Sequence, residues 1–236
     1  MEPGMKSRGI VRILSGRSSV YSVLGRAYER EVDLETLSMY SGIVNGFMRK
    51  YVQEVDVNAD IREGVMELYN IFKNMSNDGL RALELDLAVD YADMFLGVKY
   101  AREGRGIPHP SESVYIRGRM YEITDQISSI YMNAGFLKSP EFREPDDHIA
   151  LELYFIAHLS RKAAESFEAD DAGAATKYLG MQREFALDHL LRWGIRLADD
   201  VTENAGTDFY RAIGKMTRGV LSSEEEFIDG LIARAP

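Results

Sequence analysis

The sequence predicts an all-α protein, a single helical bundle whose N-terminal half joins a smaller C-terminal half through a proline-containing hinge. Three observations predict it. Apolar residues recur at steps of three and four along most of the chain, which is the period of one helix face. Strict apolar–polar alternation over four to eight positions is scarce, and no Asn-Gly or Asp-Gly pair separates alternating runs as a hairpin requires. Capping residues and helix breakers also fall where those apolar faces begin and end.

Taken in order, Asp33 and Asp60 stand just before apolar-periodic segments and are expected N-caps. Leu80, Leu83, Leu87, Tyr91 and Phe95 share one helix face, and Gly97 follows as the expected left-handed residue after the helix end. Residues 98–111, with Gly104, Gly106, Pro108 and Pro110, read as a loop. Gly135 closes another periodic segment. Residues 138–145, Lys-Ser-Pro-Glu-Phe-Arg-Glu-Pro, cannot continue a helix through both prolines. They are read as the hinge between a bundle over 1–137 and one over 146–236. Pro145 with Asp146 and Asp147 reads as a helix start, because the acids face the positive end of the helix dipole. Ile149, Leu153, Ile156 and Leu159 continue that helix. Phe185, Leu187, Leu190, Leu191 and Ile195 mark a later one, and Ser222, Ser223, Glu225 and Glu226 spell a capping box before the last.

Composition narrows the chemistry. The chain of 236 residues has no cysteine, so disulfides, thiolate metal sites and cysteine nucleophiles are excluded. A net charge of −10 disfavours nucleic acid as a partner, since that binding rests on a basic footprint. It suits a basic peptide, and it also simply keeps a protein soluble. Met1-Glu-Pro-Gly-Met-Lys-Ser-Arg-Gly lacks the apolar core of a signal peptide, and no apolar run approaches the length of a spanning helix. A cytoplasmic protein without membrane insertion, monomer or dimer, is expected.

Enzyme readings find little. None of the four histidines, His109, His148, His158 and His189, is followed by Asp, and no His-Glu-x-x-His or Glu-x-x-His pattern occurs. His148 and Glu152 lie one helical turn apart and could share a metal, which keeps a helical metal-dependent hydrolase as an alternative; a surface contact explains the same spacing. Gly104-Arg-Gly106 is too short for a dinucleotide fingerprint. No catalytic set, metal site or cofactor is expected.

Binding readings find more. Tyr91, Met94, Phe95 and Leu96 end a helix that runs into the long loop. They can be core, or the wall of a groove for an apolar peptide, since methionine and flat rings repack around varied sequences. Ser111 to Tyr115, after Pro108 and Pro110, reads as a loop-to-helix transition in which Ser111 or Ser113 caps and Tyr115 anchors the turn. Glu112 could pair with a guanidinium there. Asp146, Asp147 and His148 form the sharpest polar cluster, with helix capping as one role and reception of arginine side chains as another.

At these positions the chain resembles the TorD/DmsD/NarJ family of chaperones for molybdenum-containing redox enzymes. The resemblance rests on Tyr91-x-x-Met94-Phe95-Leu96, then Pro110-Ser-Glu112-Ser113-Val114-Tyr115, then Pro145-Asp-Asp147-His148 leading into Ile149-Ala-Leu-Glu-Leu-Tyr-Phe155. It covers residues 15 to 225. Met94 stands where leucine is usual, and the one tryptophan, Trp193, lies far from the region where the family carries them. The resemblance implies a non-enzymatic chaperone that binds the twin-arginine leader of a molybdopterin oxidoreductase catalytic subunit, still without cofactor, and holds it before export. A NarJ-like chaperone for a subunit that is not exported is the alternative within the family. The site it implies is a groove lined by Tyr91, Met94, Phe95, Pro108, Pro110 and Tyr115. Glu112, Ser113, Asp146, Asp147 and His148 form its polar part.

Overall fold

The computed structural model describes residues 3–51, 58–98, 108–116 and 120–234. The Gly104-Arg-Gly106 stretch lies outside the described residues. In chain order the helices are α1 (Pro3–Glu29), α2 (Leu34–Tyr51), α3 (Ala59–Phe72), α4 (Asn77–Phe95), α5 (Glu112–Tyr115) and α6 (Met120–Asn133). There follow α7 (Ile149–Glu168), α8 (Ala172–Phe185), a π-helical turn (Ala186–Leu190), α9 (Leu191–Asn204), α10 (Asp208–Ser222) and α11 (Glu224–Arg234). Among the described residues no strand forms, only a single antiparallel bridge between Ser111 and His148. The fold is all-α, and no described helix is long and apolar enough to cross a membrane.

Helix ends follow local chemistry. Asp33 caps α2, its Oδ1 accepting from the Thr36 N–H at 2.8 Å. At α3 the cap is Asn58 rather than Asp60: Asn58 Oδ1 accepts from the Asp60 N–H at 2.9 Å, and Asp60 sits inside the first turn. There its charge still meets the helix dipole, which is why the two positions look alike in sequence. Gly97 and Gly135 have φ of 75° and 67°. Gly135 completes a 6→1, 5→2 motif, with Phe136 N–H on Tyr131 O at 2.9 Å and Gly135 N–H on Met132 O at 3.1 Å. The Tyr131 and Phe136 rings pack across it, 4.9 Å apart. Asp170 closes α7 in the same way at φ 57°.

Helix α7 does not begin at Pro145. Its cap is His148, whose Nδ1 accepts from the Ala150 N–H at 3.1 Å, so Asp146 and Asp147 stand outside the helix and are used elsewhere. The region after α8 also departs from a simple period. The π turn inserts a residue, and the buried positions become Phe185, Ala186, His189, Leu190, Trp193 and Leu197, with Leu187, Leu191 and Ile195 only half-buried. At α11, Ser223 immediately precedes the helix and its carbonyl accepts from the Phe227 N–H at 3.1 Å.

Two compact units emerge. The first comprises Met1–Gly25, Ser111–Trp193 and Ser223–Pro236; the second comprises Arg26–Pro110 and Gly194–Ser222. By this grouping residues 138–145 fall inside the first unit.

In the first unit α7 is buried on nearly all sides, as expected of a central helix. One cluster gathers Ile10, Leu14, Ala163, Phe167, Leu179 and Ile228. Another is aromatic, with the Phe155 ring 4.7 Å from both Tyr131 and Phe185. A buried polar network crosses this unit. Arg17 pairs with Glu224 and donates from Nε to Gln182 Oε1 at 3.1 Å, and Tyr21 donates to Glu224 at 2.5 Å.

In the second unit Tyr28, Tyr40, Tyr91, Phe95, Phe209 and Tyr210 form a core of edge-on and tilted rings. Helix α10 approaches α3 and α9 at glycines. A Cβ on Gly64 would stand 2.7 Å from Ala212 O, and one on Gly214 would stand 2.9 Å from Ala198 O. Asp90 of α4 ties down the start of α10, accepting from the backbone N–H of Gly206 and of Thr207 and from the Thr207 hydroxyl at 2.6–2.9 Å.

Candidate functional site

Within the first unit, two segments some thirty residues apart in sequence are locked together. The Glu112 N–H donates to Asp147 O at 3.0 Å beside the Ser111–His148 bridge. The Ser113 N–H donates to Asp147 Oδ2 at 3.0 Å. Asp147 therefore caps the short helix α5, a role that Ser111, in the cap position, does not perform with its own side chain. Asp146 is held by Lys138 Nζ at 2.5 Å and by the Ser128 hydroxyl, while the Tyr131 hydroxyl donates to its carbonyl at 3.1 Å. The His148 ring meets Phe142 edge-on at 5.2 Å.

Beneath this junction lies a set of buried carboxyl groups. Glu112, Asp147 and Glu152 are each no more than 1% exposed. Glu112 Oε2 meets His189 Nδ1 at 2.9 Å, and Glu152 Oε2 accepts from Trp193 Nε1 at 3.1 Å. Tyr115 packs on the Trp193 indole, the rings 5.4 Å apart. Burial first, then the neighbouring Glu112 carboxylate, push the Glu152 carboxyl well above the usual carboxylate range, against the opposing indole hydrogen bond. Burial with the same carboxyl groups also raises the Tyr131 hydroxyl. Among the described residues, Asp147 Oδ1, Glu152 Oε1, His189 Nε2 and Ser113 Oγ are buried here with no hydrogen-bond partner.

The expected site residues divide between the units. Glu112, Ser113, Tyr115, Asp146, Asp147 and His148 belong to the first, where the structure brings them together. Tyr91, Met94, Phe95, Pro108 and Pro110 belong to the second and are all buried. Tyr91 donates its hydroxyl to Tyr28 O at 3.1 Å, and its ring lies 5.0 Å from Phe95. Of that motif Leu96 is exposed, at 62%, as are Leu85 and Val89 on the preceding turns of α4. His189 and Trp193 were not singled out as site residues by sequence reasoning, and Glu152 only as a possible metal partner of His148, because their links across this unit are long-range. The buried-acid pattern Leu151-Glu152-Leu153 in an otherwise apolar face was the available signal.

One donor atom of each of His148 and Glu152 is already engaged within the fold. His148 Nδ1 is occupied by the Ala150 N–H and Glu152 Oε2 by the Trp193 indole. No group of three acidic or imidazole side chains arranged to hold a metal ion occurs among the described residues.

Comparison with known proteins places residues 58–199 in the family described as nitrate reductase delta subunit. Over nearly its whole length the chain is similar to proteins named chaperone protein TorD. The one from Vibrio cholerae serotype O1 is 24% identical over 218 residues, covering 91% of this chain and 93% of the relative. The one from Shewanella pealeana is 27% identical over 225 residues and 90% of each. The one from Aliivibrio fischeri is 24% identical over 215 residues, covering 91% and 95%.

Proposed function

Because the chain belongs to the nitrate reductase delta subunit family, together with chaperones of the TorD kind, we propose that it is a non-catalytic chaperone in molybdoenzyme maturation. In this reading it acts in the cytoplasm by binding the N-terminal, twin-arginine leader of a molybdopterin oxidoreductase catalytic subunit. It holds that subunit until cofactor insertion is complete.

The observation that carries this is the junction of the two signature segments. Residues 111–115 and 146–148 come from separate parts of the sequence and are bonded into one polar, acidic structure through Asp147. A leader is basic around its arginine pair and apolar beyond it. The acidic junction, with Glu112, Ser113, Tyr115, Asp146, Asp147 and His148, is the receiver proposed for the basic part through charge-assisted hydrogen bonds, Ser113, Tyr115 and Asp146 being its half-buried members and Glu112, Asp147 and His148 its buried ones. For the apolar part the proposed residues are Tyr91, Met94, Phe95, Pro108 and Pro110. Those residues are buried, whereas Leu85 and Val89 of α4 and Leu96 just after it are exposed. Ordering a leader on binding costs about 2–5 kcal/mol, so affinity is modest and release remains feasible.

A NarJ-like role, assembling a subunit that is not exported, is the second reading, favoured by the matched family's description. One experiment addresses both. The chaperone is captured from its native cytoplasm under conditions that induce anaerobic respiration, and its partners are identified by mass spectrometry. A molybdopterin oxidoreductase catalytic subunit is expected, and its N-terminus, with or without an arginine pair, separates the two readings. Capture of no such subunit while one is expressed removes both.

A further inference from the structure

Helix α4 is apolar on two opposite sides. One side is core, with Leu87 at its centre and fully buried. The other carries Ala82, Leu85, Val89, Ala92 and, just past the helix end, Leu96. At 3.6 residues per turn these five fall in a stripe roughly 80° wide, directly opposite Leu87. Leu85, Val89 and Leu96 are 67%, 56% and 62% exposed; Ala82 is exposed and Ala92 half-buried. Neighbouring elements of the second unit hold the flanks of α4 and leave this side open. Glu84 Oε1 accepts from the Leu34 N–H of α2 at 2.9 Å on one flank, and Asp90 holds Gly206 and Thr207 on the other.

The steps along the stripe are three, four, three and four residues, the a/d repeat of a two-helix seam. A seam this narrow fits one further helix rather than a broad surface. Ala82, Val89 and Leu96 take the a positions, Leu85 and Ala92 the d positions. A β-branched residue at a with leucine at d favours two parallel helices. Charge is the second observation. Arg81 and Asp86 border the stripe on opposite sides, at the g and e positions. Both are exposed, and neither makes a hydrogen bond or ion pair among the described residues. Across one helix they cannot reach each other. In a parallel pair, however, g of one helix lies beside the e position five residues on in the other. Arg81 of each copy then meets Asp86 of the other, once on each flank. An antiparallel pair brings e beside e instead, which sets Asp86 against Asp93 of the second copy.

We propose that the outer face of α4 is a self-association surface, on which α4 of a second copy packs in parallel and in register. Leu85 and Val89 meet their counterparts at the centre of the seam, and the Arg81–Asp86 pairs close its two sides. The inference does not rest on the leader-binding reading. One helix face is small against the roughly 1,200–2,000 Å² of a stable interface, so the dimer is weak and reversible, with a Kd on the order of 100 μM.

The test is sedimentation equilibrium of the full chain from about 10 μM to about 1 mM. A reversible monomer–dimer equilibrium that L85E/V89E abolishes supports the pairing. Both residues are exposed, and a thermal melt by circular dichroism confirms that the variant is folded. Wild type that stays monomeric throughout overturns the proposal and leaves the stripe to a partner of another kind. A dimer that L85E/V89E leaves unchanged also overturns it, by placing the interface elsewhere. The register is tested with R81E and D86R. Each alone sets like charges against each other on both flanks, and is expected to weaken association about fivefold or more. Mixed in equal amounts, the two variants again place opposite charges across both flanks and are expected to associate as tightly as wild type. A mixture that associates no more tightly than either variant alone overturns the parallel pairing.

Discussion

Asp147 offers the clearest separation of structure from function. Its Oδ2 caps the N-terminus of α5 through the Ser113 N–H, while Oδ1 is buried without a partner among the described residues. Replacing Asp147 by Ala removes a helix cap, which is worth about 0.5–2 kcal/mol. For a chain of this size each kcal/mol moves Tm by about 2–4 °C, so D147A is expected to melt roughly 1–8 °C below wild type. Asp147→Asn keeps an acceptor for the Ser113 N–H and removes one of three closely buried carboxyl groups. It is expected to stay within about 1 kcal/mol of wild type. If Asp147 also receives a leader arginine, D147N loses charge assistance and binds the leader about tenfold more weakly, equivalent to about 1.4 kcal/mol. Thermal and urea unfolding measure the first effect, and calorimetric titration with the leader measures the second. A folded D147N with wild-type leader affinity would reduce Asp147 to a cap alone. D147A with unchanged stability would refute the capping argument itself.

Other consequences follow from the same structure. Arg17→Met leaves Glu224 buried and without its cation, and should cost about 3–5 kcal/mol, whereas Arg17→Met with Glu224→Gln should recover most of it; urea unfolding of both variants decides this. The Glu152 carboxyl is raised in the folded state above its ordinary value of 4.5. Its contribution to stability is therefore full below that pH and is lost as pH rises toward the folded value. Glu152→Gln should accordingly match wild type best below that ordinary value and gain on it as pH rises above it. An unchanged gap as pH rises, in parallel urea titrations, would refute a raised carboxyl. Gly135→Ala, at φ 67°, should lose about 1–2 kcal/mol although a Cβ there meets open space, and a thermal melt that does not move would contradict the left-handed cap.

The sequence carried the helices well because their signals are local. The face Leu80, Leu83, Leu87, Tyr91, Phe95 is the inward face of α4, and Asp33, Gly97 and Gly135 act as the caps their positions imply. Where two adjacent residues could serve the same purpose, local pattern alone did not choose, as with Asn58 and Asp60. At Pro145 the acids that look like a helix start are recruited instead by α5, Ser128 and Lys138, distant partners that no local rule contains. The π turn escaped for a related reason: Phe185, Leu190 and Leu191 fit an α period well enough to hide an inserted residue. The candidate site was legible in part. Glu112, Ser113, Asp146, Asp147 and His148 stand out as polar residues between helices. His189 sits 77 positions from Glu112, and only folding shows the two to be partners. The grouping of both chain ends into one unit is likewise long-range information.

The measurement that tests the central claim most directly is calorimetric titration of this protein with the catalytic subunit it captures, prepared with and without its N-terminal leader. The account predicts micromolar or tighter binding by the complete subunit and by the isolated leader, and a loss of at least tenfold when the leader is removed. Equal affinity for the leaderless subunit, with no binding of the leader alone, would contradict it.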